Sequence, residues 1–520
     1  MHVIMEHVIF SAIILCFMSC YAFGGTPCAL KDFGGDNFAC VCNSTYCDTL
    51  DPISSPSMGS YKLYSSSIKG QRLDQTEGKL STQPSSKVIL KLNANVTYQE
   101  IIGFGGAFTD AAGINILNLT SQSQDNLLKS YFSTQGIEYT LGRIPMASCD
   151  FSTREYSYDD VPGDLNLTKF SLANEDLKFK IPIIQAAQKL SKRNITLFGS
   201  PWSAPAWMKT NDKMTGRGTL IGRPGGPYYK SWAAYFVKFL QEYKKHGVDI
   251  WGVTGQNEPS DGNVFDFKFQ AMGWSPETQR DFIAMDLGPA ITQAGLGQVK
   301  IMIMDDTRLF LPLWAEEVFK NTAAAKFVSG VAVHWYQDFI VPTNALASTH
   351  EKFPDKFLLA TEACLGSMPW DGQHVQLGSW YRGELYAHDI IEDLSNWVTG
   401  WTDWNIALNM EGGPNWVQNF VDSPMIVNAE KDEFYKQPMF YTMGHFSKFL
   451  VPGSKRINIE GSVADKQVFM VAFKRPDSLL VFIILNRSES SGSVSLTSTG
   501  QDFVNLYYPP RSLQTVLMSL

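Results

Sequence analysis

The sequence predicts an α/β fold: a (β/α)8 TIM barrel with an associated β-sandwich domain built from both chain termini. Three observations lead there. Eight short apolar runs alternate with amphipathic stretches through the middle of the chain. Polar residues follow nearly every run at its C-terminal end. The regions on either side read as short alternating strands broken by Gly and Ser. Buried parallel strands are continuous apolar runs, and their alternation with helices implies βαβ units. A doubly wound open sheet is the competing arrangement; the polar residues at the run ends favour the closed barrel.

Taken in chain order, residues 1–25 read as a signal peptide: an apolar stretch at 8–18, too short to span a bilayer comfortably, precedes the small residues Ala22, Gly24 and Gly25. Residues 26–97 hold a cysteine-rich segment and the first sandwich strands, in which Leu63, Ile68, Val88, Leu90 and Leu92 alternate with polar residues. Cys28, Cys40, Cys42 and Cys47 cluster behind the signal. In an exported chain they suggest two disulfides, with three pairings open; a zinc knuckle suits a cytosolic protein better. Residues 98–450 hold the barrel, with runs at 101–105, 139–145, 195–200, 250–256, 299–304, 330–334, 357–361 and 400–404. Segments 122–132, 229–245, 276–287 and 378–397 between them have helical spacing. Residues 451–520 supply the remaining sandwich strands, near 468–473, 479–485, 494–496 and 504–508.

Composition narrows the function classes. With 44% hydrophobic and 18% charged residues in 520, the chain is an ordinary globular protein. Its net charge of −8 and the lack of a basic run speak against nucleic acid as a partner. Six Asn-x-Ser/Thr sequons, at Asn43, Asn95, Asn118, Asn166, Asn194 and Asn486, fit a glycoprotein of the secretory pathway.

In a barrel the catalytic groups stand where strands end. Two glutamates occupy such positions, Glu258 after the fourth run and Glu362 after the seventh, on roughly opposite sides of the ring. Cleaving a glycosidic bond requires a proton donor for the leaving oxygen and a second carboxylate facing the anomeric carbon. A spacing of about 5–5.5 Å makes the second carboxylate the nucleophile and retains configuration. The donor of the pair must start protonated, so its carboxyl is expected to be raised by its charged neighbour and partial burial. Asn257 is placed to donate to a sugar hydroxyl, and Tyr336 to the nucleophile. Arg143 is a candidate to hold Glu362 or Glu258 ionised, with Asp305 as its support. His334 reads as structural before it reads as a base. No metal-ligand cluster is visible, so neither metal nor other cofactor is expected; a metal hydrolase built on Asp305 or Asp306 is the rival chemistry.

At these residues the sequence resembles the glucosylceramide-cleaving acid β-glucosidases of glycoside hydrolase family 30. The likeness rests on Gly103-Phe104-Gly105-Gly106-Ala107, Pro145 to Ser152, Asn257-Glu258-Pro259-Ser260, Val333-His334-Trp335-Tyr336, Gly400 to Asn405, Glu411 to Trp416 and Tyr435 to Tyr441, and on the cysteine spacing. The resemblance implies Glu258 as acid/base, Glu362 as nucleophile, and disulfides Cys28–Cys40 and Cys42–Cys47. It places Asp150, Phe151, Trp202, Asn257, Tyr336, Trp404 and Asn419 around a glucose. It also implies glucosylceramide as substrate, a saposin-type activator and an anionic lipid surface as partners, peripheral membrane contact only, a lysosomal trafficking receptor, and a lysosomal location with secretion as the alternative. Departures from the pattern at Gly255-Gln256, Phe267, Ala271 and Thr307 bear on the aglycone. Other readings are a steryl glucosidase or xylosidase of the same fold, and a non-catalytic sugar- or lipid-binding homologue.

Overall fold

The computed structural model describes residues 25–368 and 370–519. The expected signal peptide therefore lies outside the described residues but for Gly25. Among the described residues no helix is long and apolar enough to cross a membrane.

Eight parallel strands close into a barrel: Gly103–Ala107 (β1), Leu141–Met146 (β2), Thr196–Pro201 (β3), Gly252–Thr254 (β4), Lys300–Thr307 (β5), Val328–His334 (β6), Phe357–Glu362 (β7) and Val398–Asn405 (β8). Every expected run supplies one strand. Closure is made by β8 on β1, with Trp401 opposite Phe104 and Thr402 opposite Gly105. All residues of β1, β2 and β8 are buried, which is why these strands read as unbroken apolar runs. Glycine is required within β1: a Cβ on Gly105 would stand 1.7 Å from the Leu141 carbonyl oxygen.

Helices Ser121–Phe132, Pro227–Lys245 and Trp380–Ser395 lie where the spacing puts them. The stretch 276–287 instead divides into an α-helix, Pro276–Phe282, and a π-turn, Ile283–Leu287. Pro289 follows at the start of the next helix and has no N–H to donate. The ladder widens just before it, with the Gly288 N–H donating to the Ile283 carbonyl.

Nine strands form the second domain, and the two termini interleave in it. Ile89–Glu100 lies between Gly492–Thr497 and Lys455–Glu460, and Ser60–Ser67 between Ser512–Met518 and Asp74–Lys79. Leu90, Leu92, Leu480, Phe482, Val504 and Val516 pack into one apolar core. Two features cross the boundary expected at residue 97. Ile89–Glu100 runs through it, and the cysteine strand Phe38–Asn43 belongs to a separate five-stranded sheet, hydrogen-bonded to Glu433–Lys436 beyond β8. Disulfides Cys28–Cys40 and Cys42–Cys47 tie that small sheet.

Candidate active site

Arg143, fully buried in β2, is the hub of the barrel mouth. Its Nε donates to Ser200 Oγ (3.1 Å), its Nη2 to Asn257 Oδ1 (2.7 Å) and Asp305 Oδ2 (2.8 Å), and its Nη1 to Glu362 Oε2. The guanidinium sits 4.8 Å from the Trp202 ring centre, and Trp202 stacks on Trp404 at 5.1 Å. Burial works against the Arg143 charge, but the Asp305 and Glu362 carboxylates outweigh it and raise its pKa.

A bulge in β5 turns Asp305 into this web. The register against β6 slips between Met304 and Asp306, and Met304 and Asp305 take φ of 68° and 62°. Asp305 then accepts from Arg143, from Thr254 Oγ1 (2.6 Å), from Thr361 Oγ1 (2.7 Å) and from His334 Nε2 (3.0 Å). Burial alone would raise its pKa; Arg143 and His334 hold it well below the ordinary carboxylate range. Both oxygens are committed to donors, which leaves the rival metal chemistry no free ligand there. Asp306 faces the other way, accepting from the Ser260 N–H (3.1 Å) and the Thr307 N–H (2.7 Å).

Glu258 and Glu362 converge. With His334, each offers a ligand atom within 4.8 Å of the others. Glu258 follows β4 in a left-handed conformation (φ 39°), its N–H donating to the Asp305 carbonyl at 2.9 Å. Glu362 accepts from Tyr336 OH at 2.5 Å as well as from Arg143. His334 bridges Glu258 (Nδ1 to Oε1, 3.1 Å) and Asp305. Burial opposes the imidazolium, but the charges of Glu362 and Asp305 dominate and push His334 up to about 10.

This corrects one expectation. Burial raises the Glu258 carboxyl, yet the bond and charge of His334 bring it below the ordinary range. Glu362 is raised by burial and by the charge of Glu258, against His334, Arg143 and Tyr336. The surrounding charges therefore favour the proton on His334 over Glu258 in the free site.

These groups open into a cavity of about 330 Å³ lined by Glu258, Glu362, Asp150, Phe151, Trp202, Tyr336, Trp404 and Asn419. Asn257 lies behind it, its Oδ1 held by Arg143. Asp150 Oδ2 accepts from Asn415 (3.0 Å) and Asn419 (3.1 Å); burial, opposed by Asn419 and reinforced by Glu362, takes its carboxyl to about 7. Of the departures, Phe267 and Thr307 line this cavity.

Residues 101–450 match the glycosyl hydrolase family 30 TIM-barrel domain, and residues 453–516 match the glycosyl hydrolase family 30 beta sandwich domain. The chain belongs to glycosyl hydrolase family 30. It is a glycosidase, as the resemblance implies. It is 49% identical to the lysosomal acid glucosylceramidase of Mus musculus over 96% of each chain. It is 44% identical to putative glucosylceramidase 4 of Caenorhabditis elegans, over 98% of this chain and 99% of that one. The crystal structure of SrfJ from Salmonella typhimurium superposes with a TM-score of 0.81 at 30% identity, covering 89% of this chain and all (100%) of that one.

The family 30 site also contains a residue the sequence reading passed over. Asp261 lines the cavity three positions after Glu258, and its carboxyl is hydrogen-bonded to that of Glu258. Burial, then the charge of Glu258, takes it to about 10. An acidic residue in the tight turn after Asn257-Glu258-Pro259-Ser260 was the available signal. Away from the site, one sequon is corrected. Asn486 is buried, and its Nδ2 donates to the Ser490 (2.8 Å) and Pro509 (2.7 Å) carbonyls, so the folded family 30 chain has no room for a glycan there. Asn95, Asn118, Asn166 and Asn194 are exposed, and Asn43 is half-buried. Cys149 and Cys364 are buried free thiols.

Proposed function

We propose that this chain is a retaining β-glucosidase that hydrolyses glucosylceramide to glucose and ceramide in the lysosome. The observation that carries the reading is the spacing of Glu258 and Glu362, within 4.8 Å of each other in the lining of a cavity of about 330 Å³. Glu362, aligned by Arg143 and Tyr336, attacks the anomeric carbon. The bond to the aglycone oxygen breaks, its electron pair staying on that oxygen, and Glu258 supplies the proton. That proton reaches Glu258 from His334 across their 3.1 Å contact before it is delivered, so its delivery leaves Glu258 a carboxylate. The product of this step is a glucosyl ester on Glu362. Glu258, again a carboxylate, then takes a proton from water, whose oxygen attacks the same carbon and releases β-glucose. Double displacement of this kind calls for no metal or organic cofactor.

The likeness to the mouse lysosomal enzyme supports the substrate and the compartment. Exposed Phe339, Trp370 and Leu313, each at least 67% accessible, support contact with a lipid surface and with a saposin-type activator. A lysosomal trafficking receptor belongs to the same reading. The test is to assay purified protein on glucosylceramide, a steryl glucoside and a xyloside, with and without saposin and anionic vesicles. Glucosylceramide turnover stimulated by both additions supports the proposal; preference for either other substrate overturns it.

A further inference from the structure

The loop after β6 and the helix Trp380–Ser395 meet beside the active site and bring three aspartates together. Asp389 and Asp393 stand one turn apart on the helix, and Asp338 lies two residues beyond Tyr336. One carboxylate oxygen from each lies within 4.8 Å of the others. Asp389 is 5% exposed and Asp393 2%.

Positive charge falls short here. Arg308 Nη1 reaches Asp338 Oδ2 at 2.9 Å but stands 3.7 Å from Asp393 Oδ1. Its Nε and Nη2 are spent on the Val341 and Asp338 carbonyls. Trp401 Nε1 donates to Asp389 Oδ2 at 2.8 Å. Among the described residues, the buried Asp393 Oδ1 finds no hydrogen-bond partner. Three carboxyl groups thus share one guanidinium, and Asp393 Oδ1, on a side chain only 3% exposed, is left without a donor within hydrogen-bond distance.

We propose that Asp338, Asp389 and Asp393 bind a divalent, oxygen-seeking cation of the Ca²⁺ class. A Ca²⁺ ion holds its oxygens at about 2.3–2.6 Å, so ligands around one ion stand at most about 5 Å apart, as these do. The remaining positions can be filled by water, because Asp338 and Asp389 line an open cavity of about 600 Å³ that also presents Glu392, His388 and Arg487. Flexible coordination at an uneven site suits Ca²⁺ better than Mg²⁺, which demands near-octahedral geometry. The ion ties the loop carrying Tyr336 to the barrel helix, and Tyr336 in turn donates to Glu362. The site is thus a positioning device for the reaction, independent of which β-glycoside is cleaved.

The test uses the full mature chain, chelator-stripped, at about pH 7, where carboxylate ligands are deprotonated. Trp401, bonded to Asp389, makes Tb³⁺ a direct probe through sensitised emission. The expected result is Tb³⁺ emission excited through tryptophan, competed away by Ca²⁺ more effectively than by Mg²⁺. A single Ca²⁺ should bind by calorimetry and raise Tm. Asp393→Asn should weaken binding about tenfold or more, and Asp389→Asn with Asp393→Asn should abolish it. No emission and no Ca²⁺-dependent Tm shift in the unsubstituted chain overturns the proposal, and shows the three carboxyls sharing protons instead. Emission that survives in the double variant overturns it equally. The measurements on the unsubstituted chain decide the matter even if the double variant does not fold.

Discussion

His334 Nδ1 stands 3.1 Å from Glu258 Oε1, so the group best placed to donate a proton touches a group that already holds one. Asp305, itself fixed by Arg143, Thr254 and Thr361, holds the opposite ring nitrogen and sets the imidazole plane. The carboxyl of Glu258 need not stay protonated by isolation: its neighbours keep the proton within one hydrogen bond of it.

The two glutamates should separate in kinetics. Glu362→Gln is expected to lower kcat on natural and activated glucosides alike by about 10⁴-fold or more, since no ester can form. Glu258→Gln should leave glycosylation by substrates with good leaving groups largely intact, with azide restoring turnover. Stopped-flow comparison of a dinitrophenyl glucoside with glucosylceramide reads both. Near-normal activity in Glu362→Gln would falsify the assignment.

Asp261 should appear in the pH profile. Its folded-state value near 10 keeps it protonated and donating to Glu258. In Asp261→Asn the amide still donates but has no proton to share. The high-pH limb of kcat/KM on a poor leaving group should therefore move down by about one pH unit. A limb that stays in place while KM changes would mark Asp261 as structural.

Stability should fall as pH rises through the weakly acidic range. Burial raises Asp150 from 3.8 to about 7, and Asp306 to about 6. Between about pH 4 and 7 the folded state therefore binds more protons than the unfolded chain, and folding loses free energy as pH increases. Asp150 alone sets an upper bound of roughly 4 kcal/mol for this loss. Calorimetric Tm should be higher near pH 5 than near pH 7, and Asp150→Asn should flatten the slope. A Tm that rises from pH 5 to 7 would contradict the assignment.

Glycan mapping should distinguish Asn486 from the exposed sequons. Asn194→Gln is expected to remove one glycan's mass from protein secreted by a eukaryotic host, and Asn486→Gln to remove none. Asn486→Gln should instead cost about 1–3 kcal/mol of stability by breaking two buried hydrogen bonds. Peptide mass spectrometry would show a glycan at Asn486 directly if the buried placement were wrong.

What the sequence determined by itself was local or periodic. Unbroken apolar runs marked all eight barrel strands because a strand buried on both faces has no polar face to display. The ends of those runs marked Glu258 and Glu362, and helical spacing marked Trp380–Ser395. Only the tertiary structure decided which distant groups meet. Arg143 gathers partners from β3, the turn after β4, β5 and β7, and the bulge that brings Asp305 to it leaves no trace in composition. The partnering of Phe38–Asn43 with Glu433–Lys436, the contact of His334 with Glu258, and the meeting of Asp338 with Asp389 and Asp393 likewise join segments far apart in the chain. Hydrophobic period is a property of a short segment. The charge environment of a buried side chain depends on residues far away in the chain, and they become its neighbours only when the ring closes.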